Sequence, residues 1–359
     1  MDFDLTPEQE MLRDTVRDLL ARGRDTERWA TFADIGLLGL TFDEADGGMG
    51  AGPIEAMLVM TEIGRALATE PILDCALLPG ALISAVGSDV QRKGLLPRVA
   101  EGQLKLAFAH GEPGLRWPAA DTDTRAVPDG DGWRITGRKH PVSYGDQADV
   151  LIVSAAHDDG VGLFLVTPSD PGVRLRPYTT HDGRHGADIE FEGAAAELLG
   201  DVADASDAIG AAIAAAQAAL CAEAIGAMEE SLRLTAEYLK TRKQFGVPLR
   251  TFQTLTQRAA DMYVSLELAR GMSMYASMSL ADGVVDPMVV SRAKLRIGRS
   301  ARHIGQEAIQ MHGGIGMTDE YPVGHYTARL NAIEHTLGDS TDHLRFLGSH
   351  VADYQMVEI

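Results

Sequence analysis

Gln310-Met-His-Gly-Gly-Ile-Gly-Met-Thr-Asp-Glu-Tyr-Pro322 closes a long helical pattern on two adjacent glycines. Gly313 and Gly314 can adopt positive φ and carry no Cβ, so a ligand can lie directly against their backbone. Gln310 sits one helical turn upstream, with an amide that both donates and accepts. Alone, this is the pattern of a helix cap followed by a turn. A second stretch, Arg242-Lys-Gln-Phe-Gly246 with Phe252-Gln253 behind it, adds a cluster of cations and changes the reading to a ligand-facing edge. The segments around these motifs are helical. Ser206–Lys240 is alanine-rich, Thr251–Ala281 follows, Pro287 opens a helix that runs to the glycine pair, and a last helix follows Pro322. Long helices joined by short connections predict a four-helix bundle.

Upstream, the pattern changes twice. From about residue 104 to 203, short apolar runs are punctuated by Gly, Pro and Asp, with strands expected at Leu104–His110, Gly132–Thr136, Val150–Ser154, Gly162–Val166 and Ala187–Phe191. With no helical pattern between them, these strands point to an antiparallel sheet or barrel. Residues 1–103 read as helical. Thr6 caps a helix opened by Pro7, Ile35–Phe42 leads into the glycine-rich turn Asp46–Gly52, Pro53 starts another helix, and the helical segments end near Pro97. The expected class is therefore α+β: an N-terminal helical domain (1–103), a middle antiparallel β domain (104–203) and a C-terminal four-helix bundle (204–359).

Composition narrows the function. The formal charge of −20 disfavours nucleic acid as a partner, because a phosphate backbone would be repelled. It leaves room for an anionic small molecule met by the local cluster Arg242, Lys243, Arg250 and Arg258. No uninterrupted apolar run has the length of a membrane span, and the acidic N-terminus is no signal peptide, so no membrane partner is expected. Cys75 and Cys221 are the only cysteines, which suggests a reducing, cytoplasmic setting. His181 and His185 lack the further ligands that a zinc site needs, so no metal is expected. No Rossmann fingerprint, P-loop or nucleophile elbow is present.

Five signals occur in order: Ile35–Phe42 with Asp46–Gly52; Phe108–Gly114; Gly137–Ala148; Arg242–Gly246 with Phe252-Gln253; and Gln310–Pro322. Together they resemble the acyl-CoA dehydrogenase family over essentially the whole chain. The resemblance implies FAD held across a subunit interface, an acyl-CoA substrate oxidised between its α and β carbons, and electrons passed to an electron-transfer flavoprotein. Arg242 matches the arginine that reaches the FAD pyrophosphate of a neighbouring subunit, a task suited to a bidentate guanidinium. Phe245 and Gln253 match positions beside the same cofactor, and Gln310, Gly313 and Gly314 match the segment along its adenosine half. Phe108, His110, Gly111 and Ser143 stand at the positions that would face the flavin ring.

This flavin-facing half departs from the family pattern. Phe108-Ala-His-Gly-Glu-Pro-Gly114 has Gly111 where the family has a threonine, and continues with Leu115-Arg-Trp117 in place of Gly-Ser-Asp. Pro141-Val142-Ser143 replaces the usual Trp-Ile-Thr or Trp-Ile-Ser. At the position of the family's catalytic glutamate, counting from the glycine pair reaches Leu337 or Gly338, with Asp339 adjacent. The branched-chain members' alternative position falls at Ala215 or Ala216, with Glu223 two turns on. The reading that reconciles these features is the smaller, base-lacking subunit of an α2β2 acyl-CoA dehydrogenase. The closing segment Leu337–His343 resembles such subunits, found in enzymes acting on steroid side chains and other bulky or dicarboxylic acyl-CoAs of the pimeloyl-CoA type. Its partner would be a homologous large subunit. Two alternatives stay open: a self-sufficient homotetramer using Asp339 or Glu223 as base, and a non-catalytic FAD- or acyl-CoA-binding scaffold.

Overall fold

The computed structural model describes residues 5–22, 27–114 and 122–353. Leu115–Trp117, where the flavin-facing loop departs from the family pattern, lie outside them. The chain begins with helix α1 (Pro7–Ala21), whose Thr6 hydroxyl and Gln9 side chain form a reciprocal capping box. Helices α2 (Arg28–Asp34) and α3 (Pro53–Ala66) follow. A π-helical turn at Leu73–Leu77 then runs into α4 (Leu78–Val86). Helix α5 (Asp89–Ala100) continues through Pro97, beyond the expected end, because a proline near a C-terminus disturbs only the last turn.

Seven strands come next: β1 (Leu106–Ala109), β2 (Arg125–Asp129), β3 (Gly132–Ser143), β4 (Val150–His157), β5 (Gly160–Val166), β6 (Val173–Thr179) and β7 (His185–Leu198). The helical remainder consists of α6 (Ser206–Thr241), a hairpin of β8 (Lys243–Gln244) and β9 (Val247–Pro248), then α7 (Gln253–Ala281), α8 (Pro287–His312), α9 (Val323–His335) and α10 (Ser340–Ser349). Among the described residues only α6 is long and apolar enough to cross a membrane by length and composition, and 78% of that stretch is buried inside the protein.

These elements form two compact units, and residues 1–103 are shared between them. One unit contains residues 24–52 and 69–216, and the other 1–23, 53–68 and 217–359. In the first, strands β4, β2, β3, β7 and β5 pair in a ring closed by β4–β5, giving a barrel with β1 and β6 added at its sides. Most pairings are antiparallel. The exceptions are β1–β4 and the single bridge Arg125↔Ala156 between β2 and β4, so the sheet is mixed at this point. Phe164, Phe191, Ile135, Val142, Leu151, Val153 and Ile189 fill its core. The strands β2 and β6, not expected from the sequence, each carry a proline and show mostly exposed or half-exposed residues. Such strands lack the alternation that reveals a half-buried sheet.

In the second unit, α8 packs against α7, α9 and α10, while α1 and α3 lie together and α3 reaches α7. Helices α3 and α6 cross at two glycines. A Cβ on Gly64 would overlap the carbonyl of Glu223, and one on Gly226 would overlap the carbonyl of Thr61. The backbones therefore meet with no side chain between them. Around this crossing, Glu62 is buried and takes two hydrogen bonds from Arg17, at 3.0 and 2.7 Å, and one from Arg65 at 3.1 Å.

Candidate functional site

At the end of α6 the chain reverses through the hairpin. Arg242 N–H donates to Tyr238 O at 2.8 Å, and Leu249 N–H donates to Arg242 O at 2.8 Å. The two residues at the tip, Phe245 (φ 53°) and Gly246 (φ 82°), are both left-handed, as a two-residue hairpin turn requires. Glycine adopts this at little cost, but phenylalanine does so against a penalty of roughly 1–2 kcal/mol. The Phe245 side chain is also 91% exposed, touching Phe252 edge-on at 6.1 Å. A strained backbone beneath an exposed aromatic ring is the kind of feature that marks a contact surface.

Arg242, Lys243 and Arg250 are exposed and make no ion pair among the described residues. Arg258, expected in the same cluster, is neutralised by Glu307 at 2.5 Å. Gln253 opens α7 with an exposed side chain, and Phe252 N–H donates to Leu249 O at 3.0 Å, fastening this start to the hairpin.

Helix α8 ends at His312, with Gly313 as its cap (φ 64°, ψ −141°). A single turn of 3-10 helix covers Gly313–Met317, and a Cβ on Gly313 or Gly314 would meet nothing within 4 Å. Gln310 is exposed beside this bare backbone. The two motifs stand at the same end of the bundle because an aromatic cluster binds them. Tyr238 lies 4.5 Å from the His312 ring, and His312 lies 4.8 Å from Tyr321, centroid to centroid. His312 Nδ1 donates to Ala308 O at 2.8 Å, and burial lowers its pKa, so the ring is neutral. Sequence reasoning did not single out this cluster, because Tyr238 is far from His312 in the chain. This edge offers free cations, exposed amides and open backbone, a donor set that fits a dinucleotide pyrophosphate and the adenosine beside it.

The barrel positions the second group of expected residues. Phe108 and His110 are two apart at the end of β1, on the same side, and stack at 5.1 Å with ring planes 9° apart. His110 Nδ1 lies 2.9 Å from Ser154 Oγ. Behind them, the fully buried Lys139 Nζ donates to His110 O (3.0 Å), Glu112 Oε1 (2.6 Å), Thr122 Oγ1 (2.9 Å) and Ser154 Oγ (3.1 Å). Glu112 also accepts from the Thr122 hydroxyl and from the backbone N–H groups of Asp123 and Thr124. Burial lowers Lys139 to about 8, opposed by Glu112. Burial alone would raise Glu112, but hydrogen bonds from Lys139, Thr122 and Thr124 bring it down to about 2.

Gly111 and Pro141 are matched to each other. Gly111 O accepts from His140 N–H at 2.8 Å, and a Cβ on residue 111 would come within 3.3 Å of His140 O and 3.5 Å of Pro141 Cδ. A threonine at 111 would crowd the neighbouring strand. Ser143 ends β3 opposite Gly186, half-buried.

The two base candidates both have structural partners. Glu223 is 1% exposed and receives Arg329 Nε and Nη2 on its two oxygens, each at 2.7 Å. Asp339 caps α10, its Oδ1 accepting from Thr341 N–H (2.7 Å) and Asp342 N–H (2.9 Å). Its Oδ2 lies 3.9 Å from His335 Nδ1. The connection between α9 and α10 is held from beneath. Lys294 Nζ donates to Ile333 O (2.7 Å) and Thr336 O (2.8 Å), and Gln217 Nε2 donates to Leu337 O (2.7 Å). Leu337 (φ 55°) and Gly338 (φ 97°) form the turn, and His343 is fully buried. Burial and then Lys294 push its imidazole down to about 3.

Three family models cover the chain in order: acyl-CoA dehydrogenase N-terminal domain over residues 6–103, middle domain over 107–193 and C-terminal domain over 207–351. Acyl-CoA dehydrogenase FadE28 of Mycobacterium tuberculosis is 31% identical, across 97% of this chain and 98% of that protein. Among solved structures, a variant of the Tcur3481–Tcur3483 steroid ACAD is 32% identical with a TM-score of 0.87, covering 96% of this chain and 98% of that one. The ChsE4–ChsE5 complex from Mycobacterium tuberculosis is 28% identical with a TM-score of 0.89, covering 99% and 100%.

Proposed function

The chain belongs to the acyl-CoA dehydrogenase family, and from that premise we propose that it is the base-lacking subunit of a heteromeric acyl-CoA dehydrogenase. Members of this family are flavoprotein oxidoreductases acting on a CH–CH bond of an acyl-CoA, and the cofactor is FAD, which takes up the hydride when bound. The observation that carries the subunit reading is the contrast between two parts of the bundle. One end exposes three cations that are unpaired among the described residues and a bare glycine pair, while both candidate carboxylates are engaged in an ion pair and a helix cap.

On this reading, Arg242 grips the pyrophosphate bidentately, with Lys243 and Arg250 adding positive charge. Gln310, Gly313 and Gly314 lie along the adenosine half, and Phe245 packs beside it. A homologous larger subunit supplies the carboxylate that removes the α-proton, since a general base must lie within hydrogen-bond reach of that proton. The substrate class is a bulky acyl-CoA such as a steroid side-chain thioester, supported by the steroid ACAD and the two-component complex among the similar structures. Electrons leave to an electron-transfer flavoprotein.

The test is to purify the chain alone and co-expressed with a homologous acyl-CoA dehydrogenase large subunit. Flavin absorbance, mass by light scattering and acyl-CoA-dependent dye reduction are then recorded. The proposal expects flavin and turnover only in the mixed complex, and loss of flavin there on Arg242→Ala. Turnover by the chain alone would overturn it in favour of the homotetramer. A mixed complex that binds flavin and never turns over would favour the scaffold.

A further inference from the structure

The protons around Lys139 can be assigned one by one. The ammonium has three hydrogens and faces four oxygens, His110 O, Glu112 Oε1, Thr122 Oγ1 and Ser154 Oγ. None of these can send a proton to it, so each hydroxyl must turn a lone pair toward the nitrogen. The Thr122 proton then goes to Glu112 Oε1, its close neighbour. Among the described residues the Ser154 proton has one remaining acceptor, His110 Nδ1 at 2.9 Å. An Nδ1 that accepts is unprotonated, and the single proton of a neutral imidazole then sits on Nε2.

The other tautomer would set Nδ1–H against an oxygen already facing an ammonium, and leave the hydroxyl proton of a fully buried serine without an acceptor. An imidazolium would place a second cation against the same hydroxyl. Burial and the nearby Lys139 push His110 down to about 4, with Glu112 opposing, in agreement with a neutral ring. Stacking on Phe108 holds the ring plane. Nε2 makes no hydrogen bond among the described residues, and His110 is half-buried, so this edge of the ring is the one left for a ligand.

We propose that Ser154 and Lys139 lock His110 as its Nε2–H tautomer and thereby make it a fixed neutral hydrogen-bond donor for a carbonyl oxygen of a ligand resting on this face of the barrel. It stands next to Gly111, where the family's hydroxyl is missing, and offers a donor in its place. The identity of the ligand, a flavin ring or an acyl thioester, rests on the function proposed above, but the tautomer does not. His110 touches the ligand, while Ser154 and Lys139 are positioning residues.

The full chain labelled with 15N-histidine tests the lock without any cofactor, with His110→Gln identifying the resonance. The expected spectrum has a protonated Nε2, an unprotonated Nδ1 and no titration between pH 5.5 and 7, below the range in which Lys139 loses its proton, and Ser154→Ala populates the second tautomer. A dominant Nδ1–H form, or titration near the ordinary histidine value, overturns the lock and leaves the flavoprotein reading standing. FAD and octanoyl-CoA are then added separately to the mixed complex from which the flavin has first been removed. A shift of the Nε2–H resonance with either one supports the donor role and identifies the source of the carbonyl. If the complex shows full flavin absorbance and neither addition moves the resonance, the donor role is overturned. A complex without flavin sinks the flavoprotein reading, and the octanoyl-CoA arm alone then decides the donor role.

Discussion

Glu223→Gln separates a base from a buried structural ion. Glu223 and Arg329 form a two-bond ion pair, with side chains only 1% and 9% exposed. Removing one member of such a pair strands the other charge in the interior, which costs about 3–5 kcal/mol. At about 2 °C per kcal/mol for a chain larger than 250 residues, the melting temperature should fall by roughly 6–10 °C. Glutamine keeps one oxygen acceptor, so the fall should lie toward the lower end. Glu223→Leu combined with Arg329→Met should recover most of the loss, because a buried pair replaced by apolar groups of similar size is often neutral or better. The assay is thermal unfolding followed by far-UV circular dichroism, with turnover measured in the mixed complex. If Glu223→Gln leaves the melting temperature unchanged and abolishes turnover, the ion-pair reasoning is wrong and Glu223 is the base.

Other perturbations follow from the same structure. Gly226→Ala drives a methyl group into the Thr61 carbonyl and should cost about 3 kcal/mol or more, seen as lost soluble yield. Gly210→Ala, in the same helix with open space around it, should instead gain about 0.5–1 kcal/mol by denaturant titration. Acid should weaken the fold in two stages. His110 and His343, held near 4 and 3, are neutral in the folded state, so their contribution is complete above pH 6.5 and drains away as pH falls below it. Glu112, held near 2, adds a second loss as pH drops through about 4.5 toward 2. His343→Phe should therefore shrink the first stage of a stability–pH profile to the part that His110 contributes, and leave the second. Phe245→Asn should raise the melting temperature of the chain alone by relieving the left-handed strain, and weaken assembly measured by light scattering.

The sequence revealed what depends on local chemistry. The end of α8 at the glycine pair, the Thr6 cap and the three-part helical, β and helical order are all written in neighbouring residues. That Leu337 and Gly338 carry no carboxylate was also visible, since the residue at a position can be read directly. What could not be read depends on partners distant in the chain. Glu223 carried no direction until α9 placed Arg329 against it, 106 residues away. Lys139 sits in a strand whose neighbours are polar, so nothing local shows that it is completely buried. Closure of the barrel by β4 and β5, and the grouping of α1 and α3 with the bundle helices, are likewise decided by packing. Gly111 and Pro141 look like two separate departures from a family pattern, and only their contact shows them to be one accommodation.

The hairpin tip has a consequence for how an assembly would form. Its shape is set by two left-handed residues and by backbone bonds to Tyr238 and Arg242, all within the chain, so it exists before any partner arrives. No segment here has to order during docking. Association through this edge should therefore show a single second-order phase whose rate follows concentration and ionic strength, with no slow first-order step contributed by the hairpin. The strain at Phe245 then acts on the clock as well as on the balance: it is present in the free chain, and encounter alone sets the pace.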